Sequence, residues 1–369
     1  MGRARHAGGF GRMSAPPPSG PGRGPNGVPA AIALSPILSA RYRGRDIDRI
    51  REAAPGARIV MVSTEGHADG SLDDVEVLLR GYLTAETFDR VIARAPRLRW
   101  VHSASAGVER VLTPASRERD LVITNARGVF SRPIAEYVLL MILAVSRRLP
   151  QLLELQRERT WQPLEGAELR DVTIGIAGYG SIGRAIAALA APFGARVVAV
   201  RRRPEAAGEA AAASGETVLD GDAELPPGRV DRLLGPDRLP ELVAESDFVV
   251  LALPLTAETE SVVDADLLAQ FKPGAWLVNV ARGRLVDERA LLRALEQGHL
   301  GGAVLDAFRD EPLPPSSPFY ERSNVIVTPH TSWSSGRVLD RSIELFCANL
   351  RRYAGGQSLL NVVDPAAGY

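Results

Sequence analysis

The distribution of hydrophobic and polar residues along the chain predicts an α/β fold. From residue 31 onward, short apolar runs alternate with segments whose apolar residues recur at helical spacing. This alternation is typical of βαβ units built around a parallel sheet. The first series of predicted strands covers residues 31–34, 58–62, 75–79, 98–102 and 121–124, with helices predicted at 46–54, 84–95 and 133–148.

A second series of strands begins near residue 172, and its order fits a Rossmann sheet. The predicted strands cover residues 172–177, 196–200, 248–253, 276–280, 302–305 and 325–328, and a final helix is predicted at 338–353. Residues 203–241 are unusually rich in Ala, Gly, Glu and Pro. We interpret that segment as an extended surface insertion with one short strand near 230–234.

These patterns predict two domains, as expected for 369 residues at about 100–200 residues per domain. The second series of elements falls in a Rossmann domain of residues 132–331. The first series and the final helix fall in a second α/β domain of residues 28–131 and 332–369. Residues 1–27 are rich in Gly, Pro and Arg, and we interpret them as a disordered tail.

Charge and composition exclude several classes of function. Lys+Arg and Asp+Glu are both 44, so nothing in the overall charge favours a nucleic-acid or membrane partner. The longest apolar run, residues 137–145, is far shorter than the roughly 20 residues of a membrane-spanning helix. The single cysteine, Cys347, excludes a disulfide framework and fits a reducing compartment, so we expect a cytoplasmic protein. No metal-ligand spacing is present, and no metal is predicted.

A G-x-G-x-x-G motif follows the first strand of the second series. It reads Gly178-Tyr179-Gly180-Ser181-Ile182-Gly183, and an alanine-rich helical segment follows it. Its first glycine permits a tight turn, its second lets the backbone approach a pyrophosphate, and its third lets the helix pack on the strand. The start of the helix supplies amides to the phosphates. A glycine-rich turn without a ligand is the alternative.

The next predicted strand ends at Val200 and is followed by Arg201, Arg202 and Arg203. An NAD enzyme usually has Asp or Glu at this point, where the side chain accepts hydrogen bonds from the ribose. A guanidinium group instead matches a phosphate in shape and charge. We therefore expect NADP to be preferred, through Arg201 and Arg202, with NAD still possible. A solvated basic turn is the alternative interpretation.

Charged residues follow three later strands of the same series. Arg282 lies in Asn279-Val-Ala-Arg-Gly283, Asp306 and Glu311 lie in Asp306-Ala-Phe-Arg-Asp-Glu-Pro312, and His330 ends Thr328-Pro-His330. In an open α/β sheet, ligands bind beyond the carboxyl ends of the strands. The three segments therefore predict one active site at that edge.

Taken together, these motifs resemble those of the D-isomer-specific 2-hydroxyacid dehydrogenase family, from about residue 30 to about residue 360. The basic residues after Val200 and an Ala-Gly-Val sequence at 106–108 resemble the glyoxylate/hydroxypyruvate reductases within it. The resemblance implies hydride transfer between NAD(P)H and a small 2-oxo acid or D-2-hydroxy acid. It also implies that the Rossmann domain binds the dinucleotide and is inserted into a flavodoxin-like substrate domain, formed by residues 28–131 and 332–369. A homodimer is implied as well, with residues 133–148 and the nucleotide domain at the interface.

The resemblance also implies roles for the charged residues. His330 would be the general acid/base, and Glu311 would hold its imidazole and favour the protonated form. Arg282 would bind the substrate carboxylate and polarise the carbonyl group. Asp306 would lie against the nicotinamide, and the backbone of Val280 would bind its carboxamide. The remaining expected cofactor contacts are Leu253, Pro254 and Ala281.

In the first domain, Ser103-Ala-Ser-Ala-Gly-Val-Glu109 resembles the substrate loop of the family. The backbone amides near Ala106 and Gly107 would meet the substrate carboxylate. The family usually has Asp where Glu109 stands, and we interpret Glu109 as structural.

Three alternatives remain beside a 2-oxo acid reductase. Folds of this family also serve as dinucleotide-sensing corepressors, so the fold alone does not prove catalysis. The presence of Arg282, Glu311 and His330 favours chemistry. A formate dehydrogenase is disfavoured because its relatives carry glutamine in place of Glu311. A phosphoglycerate dehydrogenase with a regulatory extension is disfavoured because few residues follow residue 360.

Overall fold

The computed structural model describes residues 27–37, 42–203 and 228–366. The predicted N-terminal tail, up to residue 26, and residues 204–227 of the predicted insertion lie outside the described residues. The chain divides into two compact units. One comprises the described residues up to Asn125 together with Ser342–Ala366, and the other comprises Ala126–Arg341.

The second unit extends beyond the predicted 132–331 at both ends. The additional segments are residues 126–131 and 332–341. They contact each other through the rings of Phe130 and Trp333, which meet edge to face with centroids 6.4 Å apart. The backbone N–H of Ser332 also donates to Asp306 within the same unit. These contacts attach both ends to this unit.

The first unit is built on a five-stranded sheet with the order β2-β1-β3-β4-β5. All of its strand pairs are parallel. This is the flavodoxin-like order of a doubly wound sheet, as predicted. The strands are β1 (Ala31–Leu34), β2 (Arg58–Met61), β3 (Val75–Arg80), β4 (Trp100–Ser103) and β5 (Val122–Thr124), and the helices are α1 (Gly44–Ala53), α2 (Ala85–Ala93) and α3 (Pro114–Glu118).

The second unit contains a seven-stranded sheet with the order β12-β11-β10-β9-β6-β7-β8. Its described pairings are all parallel, so the strands end at one edge. The order reverses direction between β6 and β9, where Rossmann sheets bind ligands. The strands are β6 (Thr173–Ala177), β7 (Arg196–Val200), β8 (Arg232–Leu234), β9 (Phe248–Leu251), β10 (Trp276–Asn279), β11 (Gly302–Leu305) and β12 (Val325–Val327).

The helices that accompany this sheet are α4 (Ser131–Ser146), α5 (Leu149–Arg157), α6 (Ser181–Ala190), α7 (Leu239–Glu245), α8 (Ala265–Leu268) and α9 (Glu288–Glu296). A final helix, α10 (Val338–Ala354), carries the chain back to the first unit. There the rings of Phe346 and Tyr353 pack on Trp100, with centroids 5.5 and 5.6 Å from it. None of the described helices is both long and apolar enough to cross a membrane.

The short strand predicted inside a surface insertion is an integral part of the second sheet. β8 pairs in parallel with β7, and Asp231 fixes the register because its carboxylate accepts the N–H of Val197 at 2.9 Å. Leu234 at its end is buried. The insertion interpretation was therefore wrong for residues 228–241, which contain this strand and the start of α7. A short strand near 230–234 is predicted correctly, but the Ala- and Pro-rich flank gives no indication that it joins the sheet.

A buried hydrogen-bond chain lies in the core of the first unit. The indole Nε1 of Trp100 donates to the hydroxyl of Thr124 at 2.8 Å, and the same hydroxyl lies 2.8 Å from Nδ1 of His102. Nε2 of His102 is buried and has no hydrogen-bond partner, so a charged ring with hydrogens on both nitrogens is disfavoured. Burial lowers the pKa of His102 to about 3. His102 is therefore a neutral core residue.

We predict that His102 makes the protein sensitive to acid. Its folded pKa lies below the unfolded value of 6.5, so its contribution is complete above pH 6.5 and is lost as the pH falls towards 3. The free energy of unfolding of the wild type, measured by denaturant titration, should fall faster with pH than that of His102→Gln. The difference in slope should approach about 1.4 kcal/mol per pH unit. The exposed His67→Gln variant should follow the wild type, and parallel slopes for His102→Gln would contradict the assignment.

Candidate functional site

The glycine-rich motif forms the turn between β6 and α6. Gly178 has φ +109°, and a Cβ there would lie 2.5 Å from the carbonyl oxygen of Ala252. A Cβ on Gly183 would lie 2.4 Å from the carbonyl oxygen of Gly178. Any larger residue would therefore push the helix off the strand or break the turn. The two glycines place the start of α6 at the point where the strand order reverses.

Gly180 differs from its two neighbours because nothing lies within 4 Å of a Cβ built on it. It is the residue that precedes α6, and no side chain caps this ten-residue helix. The first amides of the helix therefore face an open space without a capping side chain. Backbone amides and the helix dipole at such a position bind anions. The turn fits the pyrophosphate of a dinucleotide.

Two arginines lie beside this turn, one of which the sequence reasoning missed. Arg201 directly follows β7 and is half-buried. Arg184 lies in the first turn of α6, and burial lowers its pKa, with a further decrease from the charge of Arg201. Both guanidinium groups also act on the hydroxyl of Tyr179. Two like charges held together at a helix start favour an anionic ligand. In the sequence, the only indication of a role for Arg184 is its position directly after the third glycine of the motif.

The exposed side chain of Arg202 interacts with Glu258 in the loop after β9. The pKa of Glu258 lies below its ordinary value, mainly through a hydrogen bond from Thr256 and more weakly through the charge of Arg202. Arg202 therefore faces an acidic side chain in this structure. Arg203 is also exposed.

The other expected cofactor contacts lie at the same edge of the sheet. Leu253 is partly buried against the core after β9, and Pro254 is exposed. Val280 and Ala281 are buried directly after β10. The N–H of Ala281 donates to the side-chain oxygen of Asn279 at 3.1 Å, so this segment is held as a turn.

Arg282 is positioned by this turn and by a backbone contact behind it. Asn279 Nδ2 donates to the carbonyl of Arg282 at 3.0 Å. A Cβ on Gly283 would lie 1.9 Å from the carbonyl carbon of Phe308, so only glycine fits there. This close approach brings the Arg282 turn against the loop that carries Glu311. The charge of Arg282 contributes to the low pKa of Glu311.

His330 and Glu311 form a hydrogen-bonded pair. Nδ1 of His330 lies 3.0 and 2.9 Å from the two carboxylate oxygens of Glu311. Because a carboxylate only accepts, Nδ1 carries the hydrogen and Nε2 is the nitrogen left for chemistry. The side chain of His330 is 35% exposed and that of Glu311 is 39% exposed, so both remain accessible to a small molecule.

The carboxylate of Glu311 is held in its charged form. Burial acts to raise its pKa, but the hydrogen bonds from His330 and from the N–H of Phe308 outweigh that effect. The charges of His330 and Arg282 act in the same direction as these bonds, so the pKa lies below the ordinary range. The site therefore holds an imidazole, its carboxylate partner and a nearby guanidinium group.

Asp306 is completely buried at the end of β11. Its Oδ1 accepts the hydroxyl of Thr328 at 2.6 Å and the N–H of Thr331 at 2.8 Å, and its Oδ2 accepts the N–H of Ser332 at 2.9 Å. These three bonds enclose the turn that carries His330. Sequence reasoning missed this anchoring and assigned Asp306 only to the nicotinamide, a contact that stays a prediction.

In the first unit, the predicted substrate loop is ordered and half-exposed at Ala106 and Gly107. The carbonyl of Ala106 accepts Nδ2 of Asn125 at 2.9 Å, and the carbonyl of Gly107 accepts the Ser105 hydroxyl at 2.9 Å. Within the described ranges, no three His, Cys, Asp or Glu side chains are grouped so that they could hold a metal ion.

Comparison with known proteins assigns the family. A model of the NAD-binding domain of the D-isomer specific 2-hydroxyacid dehydrogenases matches residues 139–223 and 226–332 of this chain. This chain belongs to that family. Its members are NAD(P)-dependent oxidoreductases that act on CH–OH groups. The matched range contains the glycine motif, Arg282, Glu311 and His330.

Among relatives in the family, D-3-phosphoglycerate dehydrogenase from Mycobacterium tuberculosis (strain H37Rv) is 32% identical over 346 residues. That alignment covers 92% of this chain and 58% of the mycobacterial protein, so this chain spans little more than half of its length. Glyoxylate reductase from Thermococcus gammatolerans is 34% identical over 297 residues, covering 78% of this chain and 81% of that protein.

Solved structures of family members have the same fold. A D-isomer specific 2-hydroxyacid dehydrogenase from Xanthobacter autotrophicus Py2, in complex with NADPH and MES, aligns with a TM-score of 0.76 and 30% identity. It covers 93% of this chain and 100% of its own. An NADPH-dependent glyoxylate/hydroxypyruvate reductase from Sinorhizobium meliloti, in complex with NADP and sulfate, aligns with a TM-score of 0.74 and 26% identity. The alignment covers 92% of this chain and 100% of that one.

Proposed function

We propose that this protein reduces a small 2-oxo acid to the D-2-hydroxy acid with NAD(P)H, with glyoxylate or hydroxypyruvate as substrate. The observation that carries the proposal is the exposed His330–Glu311 pair near Arg282, at the sheet edge that also holds the glycine turn. The Thermococcus and Sinorhizobium relatives are named for glyoxylate or hydroxypyruvate reduction, which supports this substrate class.

The side chains have complementary tasks in such a reduction. The bound dinucleotide supplies the hydride. His330 holds a proton on Nε2 and delivers it to the carbonyl oxygen, while Glu311 keeps Nδ1 protonated and stabilises the positive imidazole. Arg282 provides a fixed positive charge for the substrate carboxylate and for negative charge that develops on the oxygen. Backbone amides at Ala106 and Gly107 remain proposed partners of the substrate.

An exposed acid–base pair favours this chemistry over a dinucleotide-sensing interaction protein. A sensor needs the glycine turn but has no use for an imidazole whose tautomer is fixed by a carboxylate. Glu311 also matches a reaction that moves a proton together with the hydride.

The proposed cofactor preference is NADPH. Arg201 and Arg202 follow β7 at the position where an acidic ribose ligand would disfavour the 2′-phosphate. Arg184 adds a third positive charge near Arg201. The Xanthobacter and Sinorhizobium structures, whose complexes contain NADPH and NADP, support this choice.

The proposed oligomer is a homodimer formed through an apolar surface on α4, α5 and the segment after α5. None of the nine residues of α5 is buried, and isolated helices shorter than about 12–15 residues are marginal in water. Large apolar side chains are exposed on this surface, and Trp161 is 100% exposed. A second copy can cover such a surface symmetrically. The exposed side chains are Leu140, Leu149, Leu152, Leu153 and Trp161.

Catalysis by the charged residues predicts distinct kinetic losses. His330→Asn should lower kcat by about 10²–10⁴-fold, because general acid–base catalysis is lost. Arg282→Ala should lower kcat and raise KM for the 2-oxo acid together. The measurement is steady-state oxidation of NADPH with glyoxylate and hydroxypyruvate. Arg284→Ala, an exposed arginine paired with Glu260, is the control and should keep activity. Full activity in His330→Asn would refute the assignment.

Cofactor recognition predicts a selective loss for NADPH. Replacing Arg201 and Arg202 by Ala removes charge-assisted hydrogen bonds worth about 1.5–3 kcal/mol each, a factor of roughly ten to a hundred in affinity per bond. KM for NADPH should rise, KM for NADH should change little, and Arg203→Ala should resemble the wild type. A wild-type kcat/KM for NADH that equals or exceeds that for NADPH would show that the arginines form only a solvated turn.

The proposed dimer predicts a concentration-dependent assembly that depends on the apolar surface. Sedimentation velocity at micromolar concentration should give a dimer for the wild type and a monomer for Leu153→Ser combined with Trp161→Ser. Phe193→Ser, which removes another exposed aromatic side chain outside this surface, should stay dimeric. A monomeric wild type, or an unchanged dimer in the double variant, would contradict the proposal.

A further inference from the structure

We propose that Tyr137 is a positioning residue for His330 and acts through a hydrogen-bond chain of Tyr137, Thr328 and Asp306. The inference rests on the catalytic role proposed for His330. Tyr137 lies on α4, 191 residues from Thr328 in sequence, and its hydroxyl is 2.6 Å from the Thr328 hydroxyl. Thr328 in turn lies 2.6 Å from Asp306.

Donors and acceptors fix the direction of this chain. A buried carboxylate accepts, so the single hydroxyl hydrogen of Thr328 goes to Asp306. The oxygen of Thr328 must then accept the hydrogen of the Tyr137 hydroxyl. Tyr137 is half-buried, and burial raises its pKa to about 12, so it stays a donor throughout the neutral range. The phenol therefore orients Thr328 towards the carboxylate at every working pH.

The chain ends on the turn that holds His330 in an uncommon backbone conformation. His330 has φ +50°, and its N–H donates to the carbonyl of Thr328 at 3.0 Å. A left-handed conformation costs roughly 1–2 kcal/mol for a residue other than glycine, so the surroundings must impose it. Asp306 does so from both sides, because it binds Thr328 before His330 and the backbone of Thr331 and Ser332 after it.

Loss of the Tyr137 hydroxyl would act on His330 without touching the substrate. Without its donor, Thr328 can rotate away, and Asp306 loses one of three hydrogen bonds on the turn. The imidazole would then meet Glu311 and the substrate less often in the productive geometry. Misplacement of a catalytic group lowers turnover, because the reacting atoms meet less often in the productive geometry. The expected signature is a loss in kcat with KM nearly unchanged.

The test compares Tyr137→Phe, Thr328→Val and Thr328→Ser with the wild type in steady-state kinetics on hydroxypyruvate and NADPH. Phenylalanine keeps the ring and its packing on α4. We expect Tyr137→Phe to lower kcat about 2- to 10-fold, the range expected for one hydrogen bond between neutral groups. Thr328→Val should lower it further, and Thr328→Ser should restore most of it because the hydroxyl is retained.

Coupling between the two positions separates positioning from a purely structural effect. Because both variants break one chain, adding Tyr137→Phe to Thr328→Val should cause little further loss. Tyr320→Phe, at an exposed tyrosine of the same unit, is the matched control and should match the wild type. Circular dichroism melts of all variants confirm folding.

Several outcomes overturn the proposal. Wild-type kcat in Tyr137→Phe, equal losses in Thr328→Ser and Thr328→Val, or fully additive losses would each do so. His330→Asn, measured in parallel, separates the positioning role of Tyr137 from the proposed function of the protein. If it loses activity while Tyr137→Phe does not, the positioning role fails and the proposed function stands. If His330→Asn is fully active, both fail.

Discussion

The buried carboxylate of Asp306 is the interaction on which the geometry of the site depends. A charged group without exposure is costly unless hydrogen-bond donors surround it. Here the donors come from Thr328, Thr331 and Ser332, which surround His330. The carboxylate therefore needs the turn for its own stability, and the turn needs the carboxylate to hold a left-handed histidine. This mutual requirement fixes His330 relative to β11.

The parallel order of the second sheet brings the remaining groups to the same edge. Because every described strand pair is parallel, residues as distant in sequence as Gly178 and His330 follow strand ends that lie at one edge of the sheet. Two close backbone approaches then set the spacing of the loops. Gly178 allows contact with Ala252, and Gly283 allows contact with Phe308. These local contacts arrange three groups within one unit: the glycine turn between β6 and α6, Arg282, and the His330–Glu311 pair.

The sequence predicted most of this arrangement because its signals are local. Apolar runs located the strands of both sheets, and the motifs that follow the strands identified Arg282, Glu311 and His330. What the sequence did not reveal depends on partners far along the chain. Tyr137 carries no motif, and only folding places its hydroxyl on Thr328. The pairing of β8 with β7 was missed because three residues give too weak a pattern to place a strand in a sheet, and α5 was missed because none of its residues is buried.

We propose that a dinucleotide held at this sheet edge would supply the hydride for C2 of a 2-oxo acid, and that His330 delivers the proton to the carbonyl oxygen. The most direct measurement uses NADPH deuterated at C4, on the face that donates, with hydroxypyruvate as substrate. Mass spectrometry and chiral chromatography of the product are then compared for the wild type and His330→Asn. The account predicts one deuterium at C2 and the D configuration in the wild type, and almost no product in the variant. A product without deuterium at C2, or of L configuration, would contradict it.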